Sequence, residues 1–154
     1  MAKFIGALAN IGFTKEAVRG TAESTPTFWV PKTSFSMDDM IEQVVDENTL
    51  GTIEDSVGAS IVHKSAEGEI EGKSSDKSIG LLLFSLLGAK AVSGPTDSAY
   101  THTFTVAQSA QHQSLTIFQD DPNGDYKYAL GMIKNFELNA ELGKFITYKI
   151  GFKT

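Results

Sequence analysis

Hydrophobic and polar residues recur along this chain in two rhythms, and the switch between them locates its elements. Residues 57–74 alternate, with Ala59, Ile61 and His63 on one parity and Ser60, Val62 and Lys64 on the other. From Ala66 onward every odd position is charged, so Glu67, Glu69, Glu71 and Lys73 share one face of an extended strand. Like charges two residues apart are tolerated where that face is wet. The rhythm then changes to Ile79, Leu82, Leu83, Leu86 and Leu87, an i, i+3, i+4, i+7, i+8 series. Ser75 and Asp76 are capable N-caps and Gly88 suits the position just past the last turn, so the spacing predicts a helix near 76–88. Leu81 and Phe84 widen its apolar surface, which predicts deep packing.

Alternation returns at Tyr100 to Val106 and again at Gln113 to Gln119, two expected strands. Asp120 to Asp125, with Pro122 and Asn123-Gly124, is an expected hairpin turn. Beyond it Phe136, Leu138, Ala140 and Leu142 face one way, while Asn135, Glu137, Asn139 and Glu141 face the other. Gly143-Lys144 turns into a closing strand from Phe145 to Phe152. Thr27 to Pro31 is a short extended piece that Pro31 ends or places on an edge. Residues 89–99, with Gly94-Pro95, are expected to be a loop, and residues 1–26 an N-terminal arm. In residues 34–56 the apolar positions fit neither period, so this stretch is expected to be a long acidic loop with strand-like arms. A loop of that length is usually functional or tied down by a partner. The total is a mainly β chain of roughly seven antiparallel strands with one packed helix, a sandwich or barrel forming a single domain over 1–154.

Composition narrows the chemistry. The 154 residues include no Cys, which excludes disulfide scaffolds, thiolate metal sites and cysteine nucleophiles. The net charge of −6 is concentrated: residues 34–71 hold ten acidic groups and one lysine, between two mildly basic ends. Arg19 is the only arginine, a poor endowment for gripping phosphate or reading bases. The apolar run Phe4 to Ala9 is short for a secretory signal, and Ile79 to Ala89 is short for a membrane span, so a soluble protein made in a cytoplasm is expected. Gly72-Lys73-Ser74 before a helix has the end of a phosphate loop, but the required Gly five residues earlier is Glu67. Asp121, Asn123 and Gly124 echo a calcium loop that lacks its bidentate acid. His63, His102 and His112 lie on separate expected strands or strand ends without metal-site spacing. The row of wet glutamates offers no apolar pocket to split a pair of pKa values. No catalytic residues, cofactor or metal ligands are therefore expected.

Five blocks in order carry a resemblance. They are Gly12-Phe13-Thr14-Lys15-Glu16-Ala17-Val18-Arg19-Gly20-Thr21-Ala22, Phe28-Trp29-Val30-Pro31-Lys32, and Glu67 to Gly72 running into the Leu-rich helix. Tyr100-Thr101-His102-Thr103-Phe104 and Tyr128 to Phe152 complete them. Together they resemble the tail tube, or major tail, proteins of long non-contractile-tailed bacteriophages. The resemblance implies a two-sheet β-sandwich with a flanking helix, a fold shared with the type VI secretion tube protein. It implies a structural virion protein and not an enzyme. Six subunits would close their inner sheets into one barrel, and the rings would stack into a tube. Its implied partners are copies of itself, a tape-measure protein, tail terminator and tip proteins, and DNA only in transit, with no membrane. The implied location is the virion tail, assembled in the bacterial host cytoplasm. Many relatives with this opening block continue into a second sandwich-like half; this sequence ends at Thr154.

Three residue sets follow as expectations. The inter-ring contact is expected in the 34–56 loop, at Asp38, Asp39, Met40, Ile41, Glu42, Asp46, Glu47, Glu54 and Asp55. Its basic partner surface is expected among Lys3, Lys15, Arg19, Lys144, Lys149 and Lys153. The wall of the channel is expected to carry Glu67, Glu69, Glu71, Asn135, Glu137, Asn139 and Glu141, which repel phosphate; the other reading of these residues is a solvated outer face. Competing readings are another β-sandwich virion component, such as a tail terminator or capsid decoration protein, and a small-ligand-binding β-barrel.

Overall fold

In the computed structural model residues 8–46, 58–108 and 111–154 are described, residues 46 and 76–78 by their backbone alone. The alternation around Glu67 is a strand, β4 (Gly58–Lys73), with Ala66 and Ile70 buried on its even face. The other strands in chain order are β1 (Asn10–Lys15), β2 (Phe28–Val30), β3 (Ser34–Asp46), β5 (Gly88–Thr96), β6 (Ala99–Val106), β7 (Leu115–Asp121), β8 (Gly124–Asn139) and β9 (Thr147–Lys153), with the helix α1 spanning Asp76–Leu87. Seven strands form one antiparallel sheet in the order β2-β1-β7-β8-β9-β4-β3, and β5 pairs β6 separately.

That sheet is folded over on β8. Its first half, Gly124 to Gly131, pairs with β7, and its second half, Met132 to Asn139, pairs with β9. The change of partner falls between Gly131 and Met132, just after Leu130, whose φ is +59°, and is followed by a bulge between Ile133 and Asn135. A residue in the left-handed region and an unpaired insertion both turn a strand sharply. The result is a sandwich: β2-β1-β7 with the start of β8, packed on β3-β4-β9 with the end of β8. Ile11, Phe13, Leu115 and Ile117 from one layer meet Ile70, Ile150 and Phe152 from the other. The Phe13 and Phe152 rings touch edge-on at 6.3 Å across the core. Burying such side chains stabilises the fold by roughly 1.5–3 kcal/mol each.

The helix is seated by Leu82, which is part of the core, and by Ser85, whose hydroxyl donates to the Gln113 carbonyl at 2.7 Å. It stops at Gly88, φ +87°, a conformation glycine adopts without a Cβ penalty. Ala107 N–H donates to the Leu87 carbonyl at 2.7 Å and His112 Nδ1 lies 2.8 Å from the Leu86 carbonyl, so the free helix end is satisfied.

Glu16 ties the first layer together from the inside. It is buried, and both of its oxygens accept two hydrogen bonds. Oε2 takes Ser114 Oγ at 2.6 Å and Gly20 N–H at 2.8 Å; Oε1 takes Leu130 N–H at 2.7 Å and Thr116 Oγ1 at 3.3 Å. Burial pushes its pKa up, but the four donors outweigh burial and hold it below the usual carboxylate value.

Three expectations are corrected. Of the 34–56 stretch, expected as a long loop with strand-like arms, residues 34–46 are all strand, β3, paired to β4 along its length with one register shift between Glu42 and Gln43, and residues 47–56 lie outside the described residues. Residues 89–99, expected as loop, are mostly strand: β5 runs to Thr96 and β6 begins at Ala99. The 1–26 stretch is not an arm from Asn10 onward, because β1 lies between β2 and β7 with Ile11 and Phe13 in the core.

Candidate functional surfaces

The charged face of β4 continues across the whole second layer. Directly paired residues in a sheet point to the same side. One row therefore runs Ser34, Glu71, Lys149, Glu137, and the next runs Ser36, Glu69, Gly151, Asn135. Asp38, Glu67 and Lys153 form a third, and Lys73, Thr147 and Asn139 a fourth. Six of the seven expected wall residues, Glu67, Glu69, Glu71, Asn135, Glu137 and Asn139, are thus brought onto one polar face. The seventh, Glu141, lies past the end of β8 and pairs with Lys144 at 2.6 Å.

This face is a lattice of ion pairs, because lysines that the expectation placed elsewhere stand among its Glu and Asn residues. Lys149 Nζ lies 3.0 Å from Glu69 and 3.1 Å from Glu71, and Lys153 lies 3.1 Å from Glu67. Lys134, carried at the β8 bulge, reaches Glu67 at 3.2 Å. Hydrogen bonds from Lys153 and Lys134 lower the Glu67 pKa, and those to Glu69 and Glu71 raise that of Lys149.

The pairing also redistributes the expected basic surface. Lys149 and Lys153 are spent on the chain's own glutamates, and Lys144 on Glu141. Arg19 donates to the His112 carbonyl at 2.9 Å and lies 3.7 Å from Met132 Sδ. Lys15 stands over the Phe84 ring, 5.9 Å from its centroid, and Lys3 lies outside the described residues. The five described members of this set therefore do not make one patch, because each answers a local partner.

The second surface is an arm. Backbone bonding on the β9 side ends with Ala66 and Thr154, so β3 from Met40 and β4 up to Ser65 run on as a ribbon of two strands. Met40, Ile41, Val44, Val45, Ile61 and Val62 are each about half exposed on it. A lone two-stranded ribbon is marginal in water, and contiguous exposed apolar side chains mark a contact surface. Of the expected contact residues, Met40, Ile41 and Glu42 lie on this ribbon and are exposed. Asp38 belongs to the polar face opposite Glu67, and Asp39 accepts a hydrogen bond from the Tyr128 hydroxyl, whose pKa is raised by burial and then by that carboxylate. Asp46 ends β3, and Glu47, Glu54 and Asp55 lie outside the described residues.

Sequence reasoning missed a third feature. The β5–β6 ribbon stands beside α1 and leaves a groove of about 770 Å³ between them. Phe28, Ile79, Phe84 and Phe104 line it, with Lys15 and Lys90 also on its walls. The signal available was Lys90 and Phe104, which the ladder sets directly opposite each other. Among the described residues no group of three His, Asp or Glu side chains is placed to hold a metal, and no helix is long and apolar enough to cross a membrane.

Residues 6–154 match the family described as phage tail tube protein. No curated protein matches the sequence. Among solved structures, a chain in the virion of a native gene transfer agent particle is similar at TM-score 0.44 and 10% identity, covering 81% of this chain and 80% of that one.

Proposed function

The chain belongs to the phage tail tube protein family, and from that premise we propose that it assembles side by side into rings, six copies to a ring, which stack into a hollow conduit for DNA. The observation that supports this reading is the second layer itself. Its two outer edges are the outer side of β3 and the outer side of β8 from Met132 to Asn139, and neither edge carries a strand partner among the described residues. Open edges invite pairing, and pairing edge to edge around a ring removes them. Such a ring turns the polar face toward the lumen and leaves the β2-β1-β7 layer outside.

The chemistry of that face suits passage and not retention. A binder of DNA gains affinity by releasing counterions as free lysines meet phosphates. Here Lys149, Lys153 and Lys134 already hold carboxylates, so phosphate would have to displace a neighbour within the sheet. The role is structural, without catalysis. The tape-measure protein would occupy the lumen before DNA, terminator and tip proteins would close the ends, and assembly would take place in the host cytoplasm. The arm would reach an adjacent ring.

Negative-stain microscopy of the purified protein tests the assembly: hollow tubes or rings are expected, and monomers alone at high concentration overturn it. The lumen assignment is tested by Glu67→Lys with Glu69→Lys and Glu71→Lys. Tubes should persist while DNA ejection slows; unchanged infectivity would place this face elsewhere.

A further inference from the structure

We propose that the groove between α1 and the β5–β6 ribbon is the receptor for the β3–β4 arm of a second copy, so that one chain carries both halves of the contact between stacked rings. The inference rests on the tube reading above and adds the site that receives the arm.

Three observations carry it. The first is shape and polarity. The groove presents aromatic and aliphatic side chains, Phe28, Ile79, Phe84 and Phe104, in about 770 Å³ of open space. The arm presents the matching excess, with Ile41, Val44 and Val45 exposed on one strand and Ile61 and Val62 on the other. Apolar surface exposed on both partners is removed from water when they meet.

The second is charge. Lys15 and Lys90 line the groove, and neither makes an ion pair among the described residues. The β3–β4 arm carries exposed Glu42 and, beside it on β4, exposed Lys64, so its acidic excess comes from the sequence that joins the two strands, where Asp46, Glu47, Glu54 and Asp55 occur with no lysine or arginine. Opposite potentials steer two such surfaces together and set their register.

The third is placement. The arm grows from the beginning of β4, whereas α1 starts at Asp76, just after β4 ends at Lys73. A strand of 16 residues spans about 50 Å. Two different patches of one subunit that complement each other make a heterologous contact, which propagates as a stack where its rotation does not close a ring.

The absence of cysteine from the chain makes the test direct. Two single-cysteine variants, Glu42→Cys and Lys90→Cys, are assembled together and treated with a short bismaleimide. A cross-linked pair of chains is expected in tubes formed from the mixture and not in tubes of either variant alone. A second arm reverses charge: Lys15→Glu with Lys90→Glu should leave folded rings that no longer stack, and adding Glu42→Lys should restore stacking. Tubes that form without the cross-link, or that tolerate the charge reversal, overturn the groove assignment and leave the tube reading intact. A cross-link that appears equally in isolated rings also overturns it, since the contact is then lateral. Wild-type protein that never forms tubes overturns both.

Discussion

Lys149 stands directly across the ladder from Glu71, and its ammonium lies within 3.1 Å of that carboxylate and 3.0 Å of Glu69. One cation therefore separates two like charges on the same strand face. Its raised pKa, caused first by the bond to Glu69 and then by that to Glu71, fixes the sign of the pH effect. The stability it adds is fully present below the unfolded value of 10.5 and is lost as pH rises through the higher folded value. Lys149→Gln should lower the urea midpoint slightly at neutral pH, and the gap to wild type should close under strongly alkaline conditions. A gap that widens with pH would contradict the pairing.

Glu16 should matter more than any surface acid. Both oxygens accept a backbone N–H, from Gly20 and from Leu130, so an amide nitrogen at either position faces a donor. Glu16→Gln should cost about 1–3 kcal/mol through an unsatisfied buried donor, read by urea denaturation at neutral pH. The folded pKa lies below the ordinary 4.5, so this contribution is present above 4.5 and is lost as pH falls through the folded value. The variant and wild type should converge there.

Gly72 is where a new methyl group has nowhere to go. A Cβ there would collide with the Pro31 carbonyl and the Tyr148 hydroxyl, which are themselves hydrogen-bonded at 3.0 Å. Gly72→Ala should destabilise by about 1–3 kcal/mol through overpacking, whereas Gly58→Ala, with open space around it, should change the melting temperature little. Equal effects at the two positions would sink the explanation.

Arm substitutions should separate folding from assembly. Ile41, Val44 and Val45 lie outside the core cluster. Replacing all three by Ser should leave the thermal melt close to wild type and abolish tubes in negative-stain images. Normal tubes would show that the apolar arm is not a contact.

What the sequence made legible follows from burial. The odd-position charges of Glu67 to Lys73 could be read because Ala66 and Ile70 on the other parity are buried. The helix was legible because Leu82 anchors it in the core and Gly88 ends it. By contrast β3 from Met40 to Val45 and β5 from Lys90 onward are exposed, so no alternation marks them and they resembled loops. Lys149 and Lys153 looked available to a partner because their glutamates sit on another strand, about 80 residues away. Glu16 lay inside a family block, but its role was invisible, since its bonds to Ser114 and Leu130 cross 98 and 114 residues.

The two layers are sewn together by the chain on both flanks. On one side β8 passes from layer to layer without a break. On the other, β2 ends at Val30 and β3 begins at Ser34, a stitch of three residues fastened by Thr33 N–H on the Glu71 carbonyl and by Tyr148 on Pro31. A load that tries to peel the layers apart is therefore borne by covalent backbone at each seam, and the side chains between them are loaded mainly in compression and shear. Each subunit is thereby built as a closed hoop before any neighbour is added.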